Sequence, residues 1–169
     1  KAFLILNWLQ KKTDKNHVMN ATEIAVAMST FGISAERRSV GRDIEAINEA
    51  VLLAQEEALD VTEAHEMVED GQKTIIYDPV RKGYYYDNLF CDFEDIRLVA
   101  ECIYAAKFID EKRVERMIEE IVCKNISEHQ KEEVLRDIFV TDRVRTSNTQ
   151  LYRTIQTITE AMRHRVEDD

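Results

Sequence analysis

Three arginines in one short run of the chain are the side chains best suited to hold an anion. Arg37, Arg38 and Arg42 lie within the run ERRSVGRDI, which begins at Glu36. A guanidinium group is permanently charged and matches phosphate oxygens, or the edge of a guanine, with paired hydrogen bonds. An arginine also pairs with neighbouring carboxylates, so the elements that position these three side chains decide between the two uses.

The stretch Asn20–Ile47 predicts two helices joined by a tight turn. The spacing Asn20-x-x-Glu23 is a capping box that starts the first helix, and Gly32 is placed to end it. Ser34 is placed to cap the second helix. The apolar residues of the second helix recur at steps of three and four, as a buried stripe does: Val40, Ile44, Ile47 and Val51. Two short helices with arginines leading the second one are the layout of a helix-turn-helix DNA reader.

Helical phase divides the polar residues of this second helix into two groups. At roughly 100° per residue, the residues that lie opposite Ile44 and become candidates for the major groove are Ala35, Arg38, Ser39 and Arg42. Arg37 lies close to the buried stripe instead. We expect Arg37 to pair with an acid such as Glu36 or Glu23, with a swing outward to a phosphate as the alternative.

A β-hairpin is predicted further along the chain. The β-prone runs TIIY (Thr74–Tyr77) and GYYY (Gly83–Tyr86) flank the turn DPVRK (Asp78–Lys82). A hairpin in this position is typical of a wing, whose tip would carry Arg81 and Lys82 toward phosphates or the minor groove. The alternative is an ordinary hairpin whose tip charges only serve solubility.

An acidic segment, Asn48–Gln72, lies between the arginine helix and the hairpin. It predicts a helical continuation that breaks near Asp60, where Asp60-x-x-Glu63 is a second capping box. An acidic helix face is most often a solvated face. It is also a candidate surface for recruiting a protein partner.

From Asp92 onward the pattern is helical throughout. The predicted inward faces are Phe93, Ile96, Val99, Ala100 and Ile103; Val114, Met117, Ile118, Ile121 and Val122; and Val134, Leu135, Ile138 and Phe139, behind a cap at Ser127-x-x-Gln130. A last helix opens at Ser147-x-x-Gln150. Its seam of Leu151, Ile155, Ile158 and Met162 is either a core stripe or a dimer interface.

The acids of the chain are unevenly spread. The 169 residues carry a formal net charge of −10. Residues 1–47 hold seven Lys and Arg against five acids, whereas the remaining residues hold sixteen against twenty-eight. We therefore expect the acidic part to repel DNA everywhere except at the basic face, which helps to orient the chain on a duplex.

The sequence lacks the motifs of common enzyme classes. It contains no GxxxxGK, GxGxxG, HExxH or GxSxG pattern. Cys91, Cys102 and Cys123 resemble buried thiols of a reducing cytosol, and the scattered histidines resemble surface or packing residues: His17, His65, His129 and His164. We predict no catalytic activity, no cofactor and no metal. No apolar run is long enough to span a membrane, and we expect a cytoplasmic location.

These patterns predict a mainly α protein in two parts. Residues 1–88 form a winged helix-turn-helix domain with a small β-hairpin wing and an acidic helical insertion at about 50–72. Residues 89–169 form an all-helical region. The residues predicted to contact DNA are Ser34, Arg37, Arg38, Ser39, Arg42, Arg81 and Lys82.

Four blocks of the sequence, in this order, resemble the WYL-domain transcriptional regulators of bacteria. They are ERRSVGRDIEAINEA, GYYYDNLF, DFEDIRLVAECIYAAKFIDEKRVERMIEEI and RVRTSNTQLYRTIQTITEAM. The resemblance spans nearly the whole chain. It implies a DeoR-like winged helix-turn-helix whose recognition helix is Ser34–Ile47, a wing within Asp78–Tyr86, and a helical linker over Phe90–Phe139.

The sequence departs from this family in three places. No Trp-Tyr-Leu motif is present, and the chain stops at Asp169, where the WYL domain would begin, so no effector site is assigned. Ala50–Gln72 is an insertion, and Gly41 stands where the family often has a large side chain. The expected function is sequence-specific binding of double-stranded DNA by a homodimeric regulator. The alternative is a winged-helix interaction module that recruits a protein through its acidic inserted helix.

Overall fold

A computed structural model describes residues 1–55, 58–88, 91–139, 150, 153–159 and 161. Its helices are α1 (Ala2–Lys12), α2 (Ala21–Thr30), α3 (Arg37–Gln55), α4 (Val61–Glu69), α5 (Phe93–Ala105), α6 (Glu111–Met117) and α7 (Glu128–Phe139). A π-helical turn, Ile118–Val122, continues α6, and residues 153–159 are also helical. Strands β1 (Ile75–Asp78) and β2 (Gly83–Tyr86) form a two-stranded antiparallel sheet. The prediction of a mainly helical protein with a small hairpin is confirmed.

The ends of α2 follow the predicted signals. The Asn20 side chain accepts hydrogen bonds from the backbone N–H groups of Thr22 and Glu23, and the Glu23 carboxylate accepts one from the Asn20 N–H at 2.7 Å. Gly32 takes a left-handed φ of 72° just after the helix. Its N–H and that of Ile33 bond back to carbonyls in the last turn, which is how a glycine satisfies a helix end.

Helix α3 begins later than predicted. The Glu36 carbonyl accepts hydrogen bonds from the N–H groups of Ser39 and Val40, so Glu36 is the last residue before the helix. Ile33 and Ala35 are half-buried against the N-terminal core, and the segment between the two helices is not helical. Ser34 therefore lies three residues ahead of α3 and does not cap it, and Ala35 does not share its outward face.

The buried stripe of α3 is confirmed. Val40, Ile44 and Ile47 are buried, and Val51 is half-buried against the same core. This N-terminal core joins α1, α2, α3 and β1, and its other buried members are Ile5, Leu9, Ile24, Ala27, Met28 and Ile75. The stripe fixes which side of α3 turns toward solvent.

The hairpin is held against the helices at two places. Met19, in the segment between α1 and α2, pairs with Tyr84 through two backbone hydrogen bonds of 2.9 and 2.7 Å and so lines one edge of β2. Asn48 of α3 donates to the Ile75 carbonyl at 3.0 Å and accepts from the Ile75 N–H at 2.8 Å. The position of the hairpin beside α3 is therefore set by hydrogen bonds as well as by apolar packing.

The acidic segment forms a helix of its own. Asp60 and Glu63 make the predicted capping box at the start of α4. Ala64 and Val68 pack on Leu52 of α3 and form a small separate core. Helix α3 continues into the acidic segment as far as Gln55 and α4 begins at Val61, so the predicted helical segment with a break near Asp60 is confirmed. Helix α4 lies against the C-terminal half of α3.

A second core joins α5, α6, the π-helical turn and α7. Its buried members include Ile96, Ala100, Val114, Ile118, Val122 and Val134. Val99 and Ile121 were predicted to point inward, but they are 46% and 51% exposed. The π-helical turn adds a residue to one turn and so rotates Ile121 outward. The side chains of Ile138 and Phe139 are not among those that the structure describes.

The three cysteines are free thiols with different surroundings. Cys123 is buried and Cys91 is half-buried, but Cys102 is exposed on α5. The prediction of three buried thiols is therefore wrong for Cys102, because that residue lies on the face of α5 turned away from the C-terminal core.

The two cores meet at a polar junction. The Ser127 hydroxyl donates to the Asp14 carboxylate at 2.7 Å, and both residues are buried. His17 stacks on His129 with ring centroids 3.7 Å apart. Ser127 and Gln130 also form the predicted capping box of α7, so the same serine starts a helix and joins the two parts.

The predicted seam of the last helix lies only partly within the described residues. Ile155 and Ile158 are described, and both are exposed. They do not form a core stripe with the described part of the chain. Ser147, Leu151 and Met162 lie outside the described residues.

Candidate functional site

An open cleft lies where α2, α3 and the hairpin come together. Its volume is about 840 Å³. The lining residues come from the start of α2, the first turns of α3 and both strands with their turn: Asn20, Ala21, Thr22, Arg37, Arg38, Gly41, Tyr77, Lys82 and Tyr84. Three of them are cations, and none of these described lining residues is acidic. The cleft is therefore a basic site in a chain of net negative charge.

The arginines at the start of α3 stand against the local electrostatics of the helix. The N-terminus of a helix carries a partial positive charge and favours acids in its first turn. Helices α2, α4, α5, α6 and α7 each have at least one acid there, whereas α1 and α3 have none. In α3, Arg37 and Arg38 occupy that turn instead, both exposed. A bound anion would remove this repulsion.

The structure corrects the prediction for Arg37. Its side chain is exposed and lines the cleft. The Glu23 carboxylate is engaged by the cap of α2. Within the described part of the chain no carboxylate forms an ion pair with the guanidinium groups of Arg37, Arg38 or Arg42. Helical phase predicts that Arg37 lies near the buried stripe of α3. Arg37 is the first residue of α3, however, and at that end of the helix the cleft lies beside it in place of the core.

Two tyrosines form the hairpin side of the cleft. The rings of Tyr77 and Tyr84 are cross-strand neighbours with centroids 5.0 Å apart. Burial, with smaller effects of Tyr77 and Glu45, raises the pKa of Tyr84 above its ordinary value, so its hydroxyl stays neutral and can donate a hydrogen bond. Opposite them, Gly41 has no side chain, and a Cβ there would lie 3.9 Å from the Tyr84 hydroxyl.

The tip of the hairpin holds Lys82 beside the arginines. The Asp78 carboxylate accepts hydrogen bonds from the N–H groups of Val80 and Arg81, at 2.8 and 3.0 Å. These bonds, above all the one from Arg81, outweigh burial and hold the pKa of Asp78 below its ordinary value. The turn then passes through Lys82 in a left-handed conformation with φ 57°. Lys82 is exposed and lines the cleft.

The remaining predicted residues lie outside the cleft lining. Arg81 donates to the Lys15 carbonyl and lies 3.9 Å from the Asp78 carboxylate, so its side chain is directed toward the segment between α1 and α2. The Ser39 hydroxyl accepts from the Lys1 ammonium at 2.9 Å and donates to the Glu36 carbonyl. Ser34 is exposed ahead of α3, and Arg42 is exposed one turn beyond Arg38. The cleft therefore brings together Arg37, Arg38 and Lys82, with Arg42 adjoining.

Sequence reasoning missed the non-basic part of the lining. From the sequence, Tyr77 and Tyr84 are interpreted only as strand residues and Asn20 only as a cap residue, and Thr22 is assigned no role. The tyrosines had a signal, since residues facing each other across a hairpin share one side of it and the runs TIIY and GYYY each contain a tyrosine on that side. The tyrosine side of the hairpin faces α3 because Met19 pairs with Tyr84. No local sequence pattern indicates that pairing.

The described part of the chain has neither a metal-binding cluster nor a membrane-spanning helix. No group of three or more His, Cys, Asp or Glu side chains in that part of the chain is arranged to hold a metal ion. None of the helices in the described part of the chain is long and apolar enough to cross a membrane.

Comparison of the chain with protein-family models, with curated proteins and with solved structures gives no significant match.

Proposed function

We propose that this protein binds double-stranded DNA with the start of α3 in the major groove. The observation that carries the proposal is the pair Arg37 and Arg38, exposed and without an ion-pair partner among the described residues, at the positive end of α3. Positive side chains at the positive end of a helix destabilise that helix. Residues that lower stability in this way are expected mainly at functional sites. A phosphate backbone supplies the missing negative charge.

The order of elements supports a winged helix-turn-helix in this role. Helix α1, the edge residue Met19, helices α2 and α3, and the hairpin follow one another as the parts of such a domain do, with α4 as an added helix. In this arrangement α3 is the recognition helix and the hairpin is the wing. Lys82 at the hairpin tip then meets the flanking backbone, while Arg38 and Arg42 reach base edges or phosphates.

Substitution of single cations tests the proposal. Duplexes selected from a random pool by the wild-type protein give the ligand. Arg38→Ala should weaken its binding by about 1–3 kcal/mol, because an arginine that reads guanine contributes that much discrimination. The matched control is Arg116→Ala, which removes an exposed arginine on α6, in the C-terminal part of the chain. Equal affinities for the two variants in fluorescence anisotropy would contradict the assignment of α3.

Salt dependence tests the electrostatic part. The logarithm of the binding constant falls with the logarithm of salt concentration, with a slope of about −0.9 for each phosphate neutralised. Lys82→Ala should therefore make the slope shallower by about one. Binding that does not respond to salt would contradict a phosphate-contacting cleft.

A second candidate function uses α4. Its outer face carries the exposed acids Glu63, Glu66, Glu69 and Asp70, and its inner face packs on α3. A basic protein partner fits that surface. An interaction module of this kind would bind no duplex beyond a weak background even at low salt, whereas a DNA reader binds most tightly there.

The resemblance to the WYL-domain regulators predicts further properties of this protein. Membership among the WYL-domain regulators would add a homodimer in the cytoplasm, and half-site symmetry in the selected duplexes would support the dimer. Sedimentation of the chain at several concentrations measures its oligomeric state directly.

A further inference from the structure

The outward face of α3 changes sign along its length. Arg38, Arg42, Glu45 and Glu49 follow at spacings of four, three and four residues, which places them on one side of the helix. The first two turns are therefore basic, and the next two are acidic. A face used only to hold phosphates has no need of the acids, since a carboxylate repels the DNA backbone.

The two acids have different surroundings. Glu49 accepts a hydrogen bond from His65 of α4 at 2.7 Å, and a second acid, Glu69, lies 3.7 Å from the same ring. Glu49 thus serves to hold α4 on α3. Glu45 is exposed and makes no side-chain hydrogen bond or ion pair with the described part of the chain. Its carboxylate is available to a ligand.

Glu45 follows Arg38 and Arg42 on the same side of α3. It stands one turn beyond Gly41, which lines the cleft, and its charge contributes to the raised pKa of Tyr84 across that cleft. A duplex seated on Arg38 and Arg42 in the major groove would bring a base edge, and not a phosphate, to the next position along the same side of the helix.

A carboxylate offers only acceptors, so it must meet a hydrogen-bond donor. The donors in the major groove are the amino groups of cytosine and adenine. Adenine places the N7 acceptor beside its amino group and would repel one carboxylate oxygen, whereas cytosine has no acceptor of its own in the groove. The guanine paired with that cytosine presents acceptors, and Arg42 lies three residues before Glu45 on the same side of α3 to donate to them.

We propose that Glu45 determines sequence specificity by accepting a hydrogen bond from a cytosine amino group in the major groove. The inference rests on the proposed function and adds to it a residue and the base that it reads. Glu45 then acts against the other bases at that position, because thymine and guanine turn only acceptors toward a carboxylate and adenine places its N7 acceptor beside its amino group.

The test compares the duplexes that the wild type, Glu45→Ala and Glu45→Gln select from a random pool. The wild type should enrich cytosine at one position of its motif. Glu45→Ala should lose the preference there and keep it elsewhere, with affinity for the wild-type motif falling by about 10-fold and affinity for unrelated duplexes unchanged or raised. Glu45→Gln should change the preferred base to adenine, since an amide pairs with the adenine edge.

A matched control and a check on folding make the outcomes distinct. Glu115→Gln removes the same charge from the exposed face of α6 and should select the wild-type motif. Thermal melting shows whether each variant is folded. If Glu45→Ala and the wild type select the same motif, the inference is overturned and the proposed function stands. If the wild type selects no duplex, the proposed function is overturned, and this inference with it.

Discussion

The backbone of Lys82 has a conformation that residues with a side chain rarely adopt. Its φ of 57° lies in the left-handed region, where a Cβ crowds the following carbonyl. Glycine has no such cost and is the usual residue at a turn position of this kind. Lys82 instead lines the same cleft as Arg37 and Arg38. The side chain is thus present at a cost to folding, as expected of a residue that serves binding.

Two substitutions at this position separate binding from stability. Lys82→Gly should raise the free energy of unfolding by about 1 kcal/mol, because the strain is relieved, and should weaken duplex binding. Lys82→Ala should weaken binding to a similar extent without the gain in stability, since alanine keeps the Cβ. Urea unfolding and fluorescence anisotropy measure the two effects. Equal stabilities of the two variants would show that the strain is not relieved by glycine.

The residues of the site were predicted unevenly from the sequence. Arg38 and Lys82 were found because charge and helical phase are local properties. Arg37 was assigned partly to an ion pair, and it proved to be an exposed residue of the cleft. Helical phase tells which direction a side chain points, but it does not tell what lies there. At the first turn of α3 the neighbour is the hairpin, which reaches that place through contacts distant in sequence.

At the level of helices and strands, the structure depends on one close approach between the hairpin and the chain that leads into α2. A Cβ on Gly83 would lie 2.7 Å from Val18 and 3.1 Å from the Met19 backbone. No side chain fits at that separation without movement of the strand. The pairing of Met19 with Tyr84, which carries β2 to the cleft, therefore requires glycine at the start of β2.

Adding one methyl group at two glycines tests this requirement. Gly83→Ala should lower the free energy of unfolding by about 1–3 kcal/mol, as insertion into filled space does. Gly41→Ala is the matched control. It lies within α3, where a Cβ would meet only the Tyr84 hydroxyl at 3.9 Å, so it should stabilise the helix by up to about 1 kcal/mol. Thermal unfolding of both variants gives the comparison, and a neutral Gly83→Ala would contradict the close approach.

The capping boxes were well predicted, whereas the start of α3 and the inward faces of the later helices were not. The capping boxes at Asn20 and Asp60 each depend on two residues that are three apart in sequence, and both form within the first turn of their helix. Ile121 was misassigned because the π-helical turn changes the number of residues per turn. Val99 was misassigned because a periodic apolar face is wider than the surface that α5 buries.

For the molecule as a whole, the contact between Asp14 and Ser127 joins the N-terminal part to the C-terminal helices. Burial acts to raise the pKa of Asp14, but hydrogen bonds from Ser127, His17 and Asn16 outweigh burial and hold it below its ordinary value. A carboxylate whose pKa falls on folding stabilises the folded state above its unfolded pKa. That contribution is lost as the pH falls through the lower folded value.

Ser127→Ala should therefore change both stability and its pH dependence. Near pH 7 the variant should lose about 1–3 kcal/mol, since a buried carboxylate loses a hydrogen bond and α7 loses its cap. The pKa of Asp14 should rise toward its unfolded value, so the part of the stability that is lost on acidification should be smaller and its loss should be complete at a higher pH than in the wild type. Urea unfolding between about pH 7 and pH 3 measures both effects.

The control for this experiment is Ser29→Ala. The Ser29 hydroxyl donates to the Val26 carbonyl within α2 and is exposed, so its removal should leave the pH profile unchanged. If Ser127→Ala shifts the profile no more than this control does, the hydrogen bond does not set the pKa of Asp14.

The amide of Asn48 has a consequence for which changes of length the chain can accept. It fixes Ile75 beside α3 from a position ahead of α4, so the chain returns to the same place whatever it does between Gln55 and Thr74. Variants with a shorter or longer segment there should keep the same hairpin position, provided that they keep this asparagine and cover Leu52. Length differences should therefore concentrate in that interval, and a reporter domain inserted there would leave the cleft in place.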